Sequence, residues 1–136
     1  MLICLDTNVV IGIINRRRPE FRVRLRAEFL GGSAIILPAI VLYELRYGVG
    51  KSDRAAAAAQ LLQEFLSASI EIAPFEAADA GHAGEIRAQL ERAGTLIGPF
   101  DILIAAQARR RGAVLVTANR REFDRVPGLM VTDWSA

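Results

Sequence analysis

Short apolar segments alternate with longer helical patterns along almost the whole chain, and this alternation limits the possible folds more than any other feature. The apolar segments at residues 2–5, 34–37, 70–73 and 114–116 are typical of buried strands, and helical patterns separate them. Strands connected through helices form parallel α/β sheets. We therefore predict an α/β fold with a central parallel sheet of four to five strands flanked by helices.

Capping and turn residues divide the remaining sequence. Residues 129–131 or 129–134 are expected to form a fifth strand at the sheet edge, and no linker or internal repeat interrupts residues 1–136, which we interpret as one domain. Gly48 and Gly50 are expected to break the helix that Pro38 opens, and Ser52 or Asp53 to cap the next. The predicted helices are residues 9–14, 19–30, 38–48, 53–66, 76–92 and 100–111.

Composition excludes several classes of protein. The 136 residues are 52% hydrophobic and 24% charged, which is too apolar for a disordered chain. No apolar run approaches the roughly 20 residues that cross a bilayer, and the N-terminus lacks a basic signal region, so we expect a cytoplasmic protein. The chain has one cysteine, Cys4, which we expect in the core, and one histidine, His82, which we expect to be exposed. Without a set of Cys and His ligands, any metal must bind oxygen ligands.

Arginine dominates the basic residues, because sixteen of the seventeen are Arg and only Lys51 is Lys. The net charge of +2 does not by itself indicate nucleic-acid binding. The Arg bias fits either a GC-rich coding sequence or phosphate contact, which guanidinium groups make in pairs of hydrogen bonds. The same two readings, solvated face or phosphate contact, apply to residues 16–18 and 109–111.

Acidic side chains interrupt apolar surroundings near the predicted strand ends. Asp6 follows the first strand, Glu44 lies on the helix after the second, and Asp101 lies in the first turn of the helix before the fourth. Ligands of open parallel sheets bind outside the carboxyl ends of the strands. Carboxylates gathered there repel one another unless a cation compensates them. This arrangement predicts a site for Mg²⁺ or Mn²⁺ that also holds a phosphate and a water.

Each acid by itself also fits a structural role. Asp6 fits an N-cap, Glu44 fits an ion pair with Arg46 or Arg87, and Asp101 fits a first-turn acid at a helix dipole. The set of three indicates a site more strongly than any member does.

Four motifs in order resemble the PIN-domain ribonucleases of the VapC toxin type. They are LDTN at 5–8, YELRYG at 43–48, IGPFDILIAA at 97–106 and LVTANRREF at 115–123. The resemblance extends to the ending GLMVTDW at 128–134 and covers nearly the whole chain. It implies a small PIN-like α/β domain, usually dimeric, that cleaves RNA with Mg²⁺ or Mn²⁺ and is neutralised by a cognate VapB antitoxin.

The resemblance also assigns roles. Asp6, Glu44 and Asp101 match the three acidic metal-site positions of the family, and Thr7 and Asn8 match supporting positions beside the first acid. The fourth, less constant acidic position falls on Asn119, which carries no charge. This departure leaves the second metal open.

Three further predictions concern residues around these positions. Glu122 or Asp124 is a candidate to replace the missing acid, and Thr117 is a candidate supporting residue. Five arginines are candidate contacts to the RNA backbone: Arg16, Arg17, Arg18, Arg120 and Arg121.

Competing functions make different demands on the sequence. A haloacid-dehalogenase-type phosphatase requires a second acid two residues after Asp6, where this chain has Asn8, and a receiver domain requires a lysine after a late strand. A non-catalytic subunit that acts with a DNA-binding partner in promoter repression remains the alternative. The Ala- and Leu-rich segment at 55–66 further predicts a homodimer, and an acidic pocket predicts an antitoxin that inserts Arg or Lys.

Overall fold

The computed structural model describes residues 1–135 as a five-stranded parallel sheet with helices packed around it. The elements in chain order are β1 (Leu2–Leu5), α1 (Thr7–Ile14), α2 (Pro19–Leu30), β2 (Ala34–Pro38), α3 (Ala39–Gly50), α4 (Ala55–Leu66), β3 (Ile70–Ala73), α5 (Ala77–Arg92), α6 (Pro99–Arg110), β4 (Val114–Val116), α7 (Arg120–Phe123) and β5 (Met130–Thr132). The predicted parallel α/β sheet is confirmed.

The strand order is β3-β2-β1-β4-β5, and every neighbouring pair is parallel. Cys4 of β1 lies opposite Ile36 of β2 on one side and Leu115 of β4 on the other. The chain adds strands in one direction from β1 to β3 and then places β4 on the other side of β1. The carboxyl ends of β1 and β4 therefore form the switch point at which open α/β sheets bind ligands.

The core lies on the central strands because their side chains are buried on both faces. Cys4, Leu5, Leu37 and Leu115 have no exposed surface, as expected for parallel strands covered on both faces. Helix α5 packs on α6, and α1 packs on α2 and α3. No helix within residues 1–135 has the length and apolar character needed to span a membrane.

Two predicted helix boundaries were wrong. Gly48 does not break α3, which continues to Gly50. Each glycine destabilises a helix by about 1 kcal/mol, but the burial of Val41 and Leu45 against the core outweighs this cost. Neither Ser52 nor Asp53 caps α4. Instead, Arg54 is the N-cap, and the hydroxyl of Ser52 accepts a hydrogen bond from its backbone N–H.

Other differences concern short elements and one side chain. Helix α7 was not predicted, and β5 is confined to Met130–Thr132, although Trp134 beyond it is buried. His82 is half-buried rather than exposed, because its Nδ1 accepts a hydrogen bond from Nε of Arg109 at 3.0 Å. Cys4 is a buried core residue, as predicted.

Candidate active site

Asp6 leaves β1 at the switch point and is held by the backbone and by a second strand. Its N–H donates to the carbonyl of Val116 at 3.0 Å, which continues the pairing of β1 with β4. Its Oδ1 accepts from the N–H of Thr7, and its Oδ2 accepts from the hydroxyl of Thr117, both at 2.8 Å. Asp6 is thus the N-cap of α1, but its second oxygen faces the neighbouring strand rather than the helix.

The environment of Asp6 disfavours its charge. Burial raises the pKa of the Asp6 carboxyl, the hydrogen bonds from Thr117 and Thr7 lower it, and the charge of Glu44 raises it further. The net shift is upward because only 5% of the residue is exposed. Asp6 is therefore a buried carboxylate whose hydrogen bonds do not fully offset the cost of its burial.

Glu44 reaches the same edge of the sheet from α3. The hydroxyl of Thr7 donates to its Oε1 at 2.7 Å, so Thr7 contacts one acid through its backbone and the other through its side chain. Within residues 1–135, Glu44 forms no ion pair, and the suggested partner Arg87 pairs instead with Glu91.

Asp101 enters the cluster from the first turn of α6. Pro99 opens this helix and Gly98 precedes it, with the buried Ile102 and Ile104 behind the carboxyl group. Burial and the negative charges of neighbouring carboxylates raise the pKa of Asp101 to about 6. Those neighbours are Asp6, Glu44 and Glu122, in decreasing order of effect.

Thr117 connects Asn119 to this edge. Its hydroxyl donates to Asp6 and accepts from the backbone N–H of Asn119 at 2.9 Å. Asn119 is the exposed N-cap of α7, and its side chain makes no capping hydrogen bond. Asn8 is exposed in the first turn of α1.

The two acids of the α7 region differ in their surroundings. Glu122 is half-buried and close enough to Asp101 to raise its pKa. Asp124 is exposed, and its Oδ2 accepts from Nε of Arg120 at 3.2 Å in an ion pair. Sequence patterns did not distinguish these two acids, because helix α7 was not predicted. The apolar Phe123 between them, which is buried, is the sequence feature that could have indicated a short helix here.

The cluster is acidic, lacks cationic partners and is not fully converged. None of Asp6, Glu44, Asp101 and Glu122 takes part in any ion pair of residues 1–135. As the side chains lie, no three His, Cys, Asp or Glu groups of that part of the chain could together hold one metal ion. Four carboxylates supply the hard oxygen donors that Mg²⁺ and Mn²⁺ prefer, so the donor chemistry fits such an ion, and closer convergence requires side-chain rotation.

The arginines divide into paired and open groups. Arg109, Arg110 and Arg111 hold Glu85, Asp79 and Glu71, so this run ties helices α5 and α6 and strand β3 together. Among the candidate RNA contacts, two are engaged: Arg18 pairs with Glu20 and lies over the Phe21 ring, and Arg120 pairs with Asp124. The others, Arg16, Arg17 and Arg121, are exposed.

Two aromatic rings border the cluster and were not singled out from the sequence. Tyr43 directly precedes Glu44, and Phe100 directly precedes Asp101. Their ring centroids lie 5.4 Å apart at an interplanar angle of 60°, an edge-to-face contact between α3 and α6. The available signal was the position of each ring beside a candidate acid.

Comparison with known proteins identifies the family. The PIN domain family model matches residues 3–129. A tRNA(fMet)-specific endonuclease VapC from Shigella flexneri is 40% identical over 131 residues, covering 96% of each chain. Ribonuclease VapC2 from Rickettsia felis is 39% identical over 135 residues, covering 98% of each.

Solved structures agree with this match. The chain superposes on VapBC2 of Rickettsia felis bound to a promoter DNA fragment with a TM-score of 0.93 and 37% identity, covering 98% of this chain and 99% of the other. It superposes on DNA-bound VapBC of Salmonella typhimurium with a TM-score of 0.90 and 38% identity, at the same coverage. The resemblance seen in the four motifs is therefore confirmed, and the chain belongs to the PIN domain family and, within it, to the VapC ribonucleases.

Proposed function

We propose that this chain is a toxin-type ribonuclease that hydrolyses RNA phosphodiester bonds with Mg²⁺, for which Mn²⁺ substitutes. The observation that carries the proposal is the cluster of carboxylates at the switch point of the sheet, where burial, followed by neighbouring negative charges, raises the pKa of Asp101 to about 6. Such unpaired charge destabilises a fold, and a divalent cation bound by the same oxygens would offset it.

Asp6, Glu44 and Asp101 are the proposed ligands. When bound, a divalent cation lowers the pKa of a water and neutralises charge that develops on the scissile phosphate. Thr7 holds Asp6 and Glu44 in one arrangement through its two hydrogen bonds, and Thr117 fixes the other oxygen of Asp6. These threonines are positioning residues, because they orient ligands without contributing charge.

Glu122 is the proposed fourth carboxylate. Its charge acts on Asp101, whereas the carboxylate of Asp124 is occupied by Arg120. Asn119 lies beside this position and offers an amide oxygen but no charge. We propose that Asn119 and Asn8 orient water or phosphate at the edge of the cluster through neutral hydrogen bonds.

The substrate we propose is structured RNA, with initiator tRNA as the first species to test, because a relative that is 40% identical is a tRNA(fMet)-specific endonuclease. The reaction would then take place in the cytoplasm, where tRNA is found. Arg16, Arg17, Arg18, Arg120 and Arg121 are the proposed backbone contacts. Such contacts position a nucleic acid without reading its sequence.

A VapB-type antitoxin is the proposed partner, since the matching structures from Rickettsia felis and Salmonella typhimurium are VapBC complexes on DNA. Contact with DNA would then be indirect, through the antitoxin. A groove between α1, α3 and α4 offers an apolar lining that includes Ile11, Ile14, Leu45, Val49, Leu61 and Leu62. Glu44 also lines it, so an antitoxin segment in this groove could bring a basic side chain to the acidic cluster.

The homodimer stays a prediction. Leu62 of α4 is buried and Phe65 and Leu66 pack partly against the core, whereas Leu61 and the first alanines of the helix are exposed and available to a partner. Light scattering at micromolar concentration tests it, and a strictly monomeric species contradicts the dimer.

Cleavage of RNA by purified protein tests the proposed reaction. We expect the wild type to cut initiator tRNA or total RNA in Mg²⁺ or Mn²⁺ and to stop in EDTA. We expect Asp101→Asn to lose at least about 100-fold in rate, because a metal ion contributes several kcal/mol to the transition state. Asp124→Asn is the matched control, since Asp124 is exposed and already paired. Equal cleavage by wild type and Asp101→Asn, with or without EDTA, would indicate a contaminating nuclease.

A further inference from the structure

We propose that Tyr43 and Phe100 form a stacking platform for one base of a single-stranded RNA segment whose phosphate lies at the carboxylate cluster. The proposal rests on the proposed ribonuclease function and adds to it the residues that hold a base. It places a sequence-tolerant contact next to the reacting phosphodiester bond.

Both rings are exposed. Tyr43 in α3 is 55% exposed and Phe100 in α6 is 43% exposed. Large apolar side chains that remain open and adjacent mark interaction surfaces. Contact between these two rings leaves other ring faces free, because an edge-to-face pair uses only one face of one ring.

Both rings also lie next to the proposed metal ligands. Each ring is one residue away from a proposed metal ligand, Glu44 or Asp101, and the two helices that carry the ligands also carry the rings. Consecutive helical residues point about 100° apart, so the rings lie beside the carboxylates rather than among them. A nucleotide matches this arrangement, because it has a charged phosphate on one side and a flat base on the other.

Electrostatic repulsion near the cluster favours uncharged contacts to RNA. Carboxylates without cationic partners repel an RNA backbone, so attraction near the cluster must come in part from uncharged groups. Bases stack on aromatic side chains with little dependence on sequence, and loss of one such ring weakens binding by about 1 to 2 orders of magnitude. Exposed rings beside the acids supply that attraction where the acids themselves cannot.

Binding of two short probes tests the platform. The probes are a labelled oligoadenylate 8-mer and an abasic ribose-phosphate 8-mer of equal charge, with Ca²⁺ in place of Mg²⁺. We expect the wild type to bind the oligoadenylate about tenfold more tightly than the abasic probe. Tyr43→Leu and Phe100→Leu should remove most of that preference, and Tyr43→Phe should retain it.

Tyr47→Leu is the matched control, because Tyr47 lies one turn further along α3, is 62% exposed and has Lys51 rather than an aromatic ring beside it. It should keep the preference for the base-containing probe. On a cleaved RNA, Tyr43→Leu should raise KM with kcat nearly unchanged, which loss of a structural contact would not do.

Three results would overturn the platform: no preference of the wild type for the base-containing probe, an equal loss in Tyr47→Leu, or a change of oligomeric state in Tyr43→Leu that shows a contact between copies of the chain. Failure of the proposed function looks different. In that case no protein cleaves RNA in Mg²⁺, while the tenfold preference and its loss in Tyr43→Leu persist.

Discussion

Two buried aspartates in this molecule have opposite environments. Asp6 and Asp79 are 5% and 0% exposed. Burial raises the pKa of Asp79, but hydrogen bonds from Arg110 and the backbone N–H of Glu76, with the charges of Arg110 and Arg111, bring it below its usual range. Asp6 has threonines and an acid as neighbours instead, and its pKa is raised.

This contrast distinguishes a region arranged for stability from one that is not. The Asp79 region joins α5 to α6 and completes a capping box with Glu76, so a buried charge there is satisfied by the protein itself. The Asp6 region gathers acids and leaves their charge without a cation from residues 1–135. Unsatisfied charge at a switch point indicates binding, whereas satisfied charge between helices indicates architecture.

The largest expected effect comes from removing the cation of the satisfied region. Arg110→Met leaves the buried Asp79 carboxylate unpaired, so we expect the melting temperature to fall by roughly 10 °C. RNA cleavage per folded molecule should not change. Arg87→Met is the control, because its pair with Glu91 is exposed on both sides and stabilises little. An equal fall in both variants would mean that the Asp79–Arg110 ion pair stabilises the fold no more than an exposed ion pair does.

A smaller effect of opposite sign is expected at the acidic cluster. Asp101→Asn removes one charge at nearly constant volume, so in EDTA we expect a melting temperature roughly 4 °C above that of the wild type. This difference is smaller than the raised pKa alone implies, because Asp101 is half-exposed and solvent screens its charge. Repulsion and burial outweigh the favourable position of Asp101 at the start of α6, because its pKa is raised. Millimolar Mg²⁺ should raise the melting temperature of the wild type more than that of the variant.

If Asp101→Asn instead lowers the melting temperature in EDTA and both proteins respond equally to Mg²⁺, Asp101 is a structural first-turn acid. The proposed metal site would then be wrong.

The dependence on pH should separate the two regions. The folded pKa of Asp101, about 6, lies above the usual value of 3.8, so its cost to stability is absent below about pH 4, grows up to about pH 6 and stays constant above. The difference in melting temperature between Asp101→Asn and wild type in EDTA should have the same dependence on pH as this cost. The lowered pKa of Asp79 acts in the opposite sense, since its contribution is present above about pH 4 and is lost as the pH falls.

Thermal melts at half-unit steps from pH 3.5 to 8 measure both courses. A gap between Asp101→Asn and wild type that is equally large at pH 4 and pH 7 would contradict the repulsion.

The smallest expected effect distinguishes the acids of α7. Glu122→Gln should raise the melting temperature in EDTA by about 1 °C, because the charge of Glu122 contributes least to the raised pKa of Asp101. Asp124→Asn should leave it unchanged or lower it slightly, since it removes an exposed ion pair. Glu122→Gln should also need more Mg²⁺ for half-maximal cleavage. The reverse ranking would make Asp124 the fourth acid.

Sequence patterns predicted the elements that are long or strongly apolar. Strands β1 and β3 have the predicted bounds, and so does α2, because apolar spacing and flanking glycines or prolines determine such elements locally. Helix α7, with four residues, was missed because it is too short for a periodic pattern. The predicted fifth strand is present at the sheet edge, but its bounds are Met130–Thr132, and it packs on α7.

Some features of the candidate site could likewise be predicted from the sequence, and others could not. The acids Asp6, Glu44 and Asp101 could be proposed from their positions after strands or at helix starts. The hydrogen bond from Thr7 to Glu44 and the contact of Tyr43 with Phe100 depend on distances between segments far apart in the chain. The pairing of Asp124 with Arg120, four residues apart, depends on helix α7, which was not predicted. No local pattern encodes those distances. The paired state of Arg109, Arg110 and Arg111 was likewise visible only after folding.

The hydrogen bond from Thr117 to Asp6 joins residues 111 positions apart. Chains emerge from the ribosome N-terminus first, so Asp6 is synthesised long before its strand neighbour β4, which follows six helices and two further strands. Until then the central strand β1 has one open edge, and the acidic cluster lacks both Asp101 and the threonine that fixes Asp6. A nascent chain therefore completes this site only after Thr117, 111 positions beyond Asp6, has been synthesised.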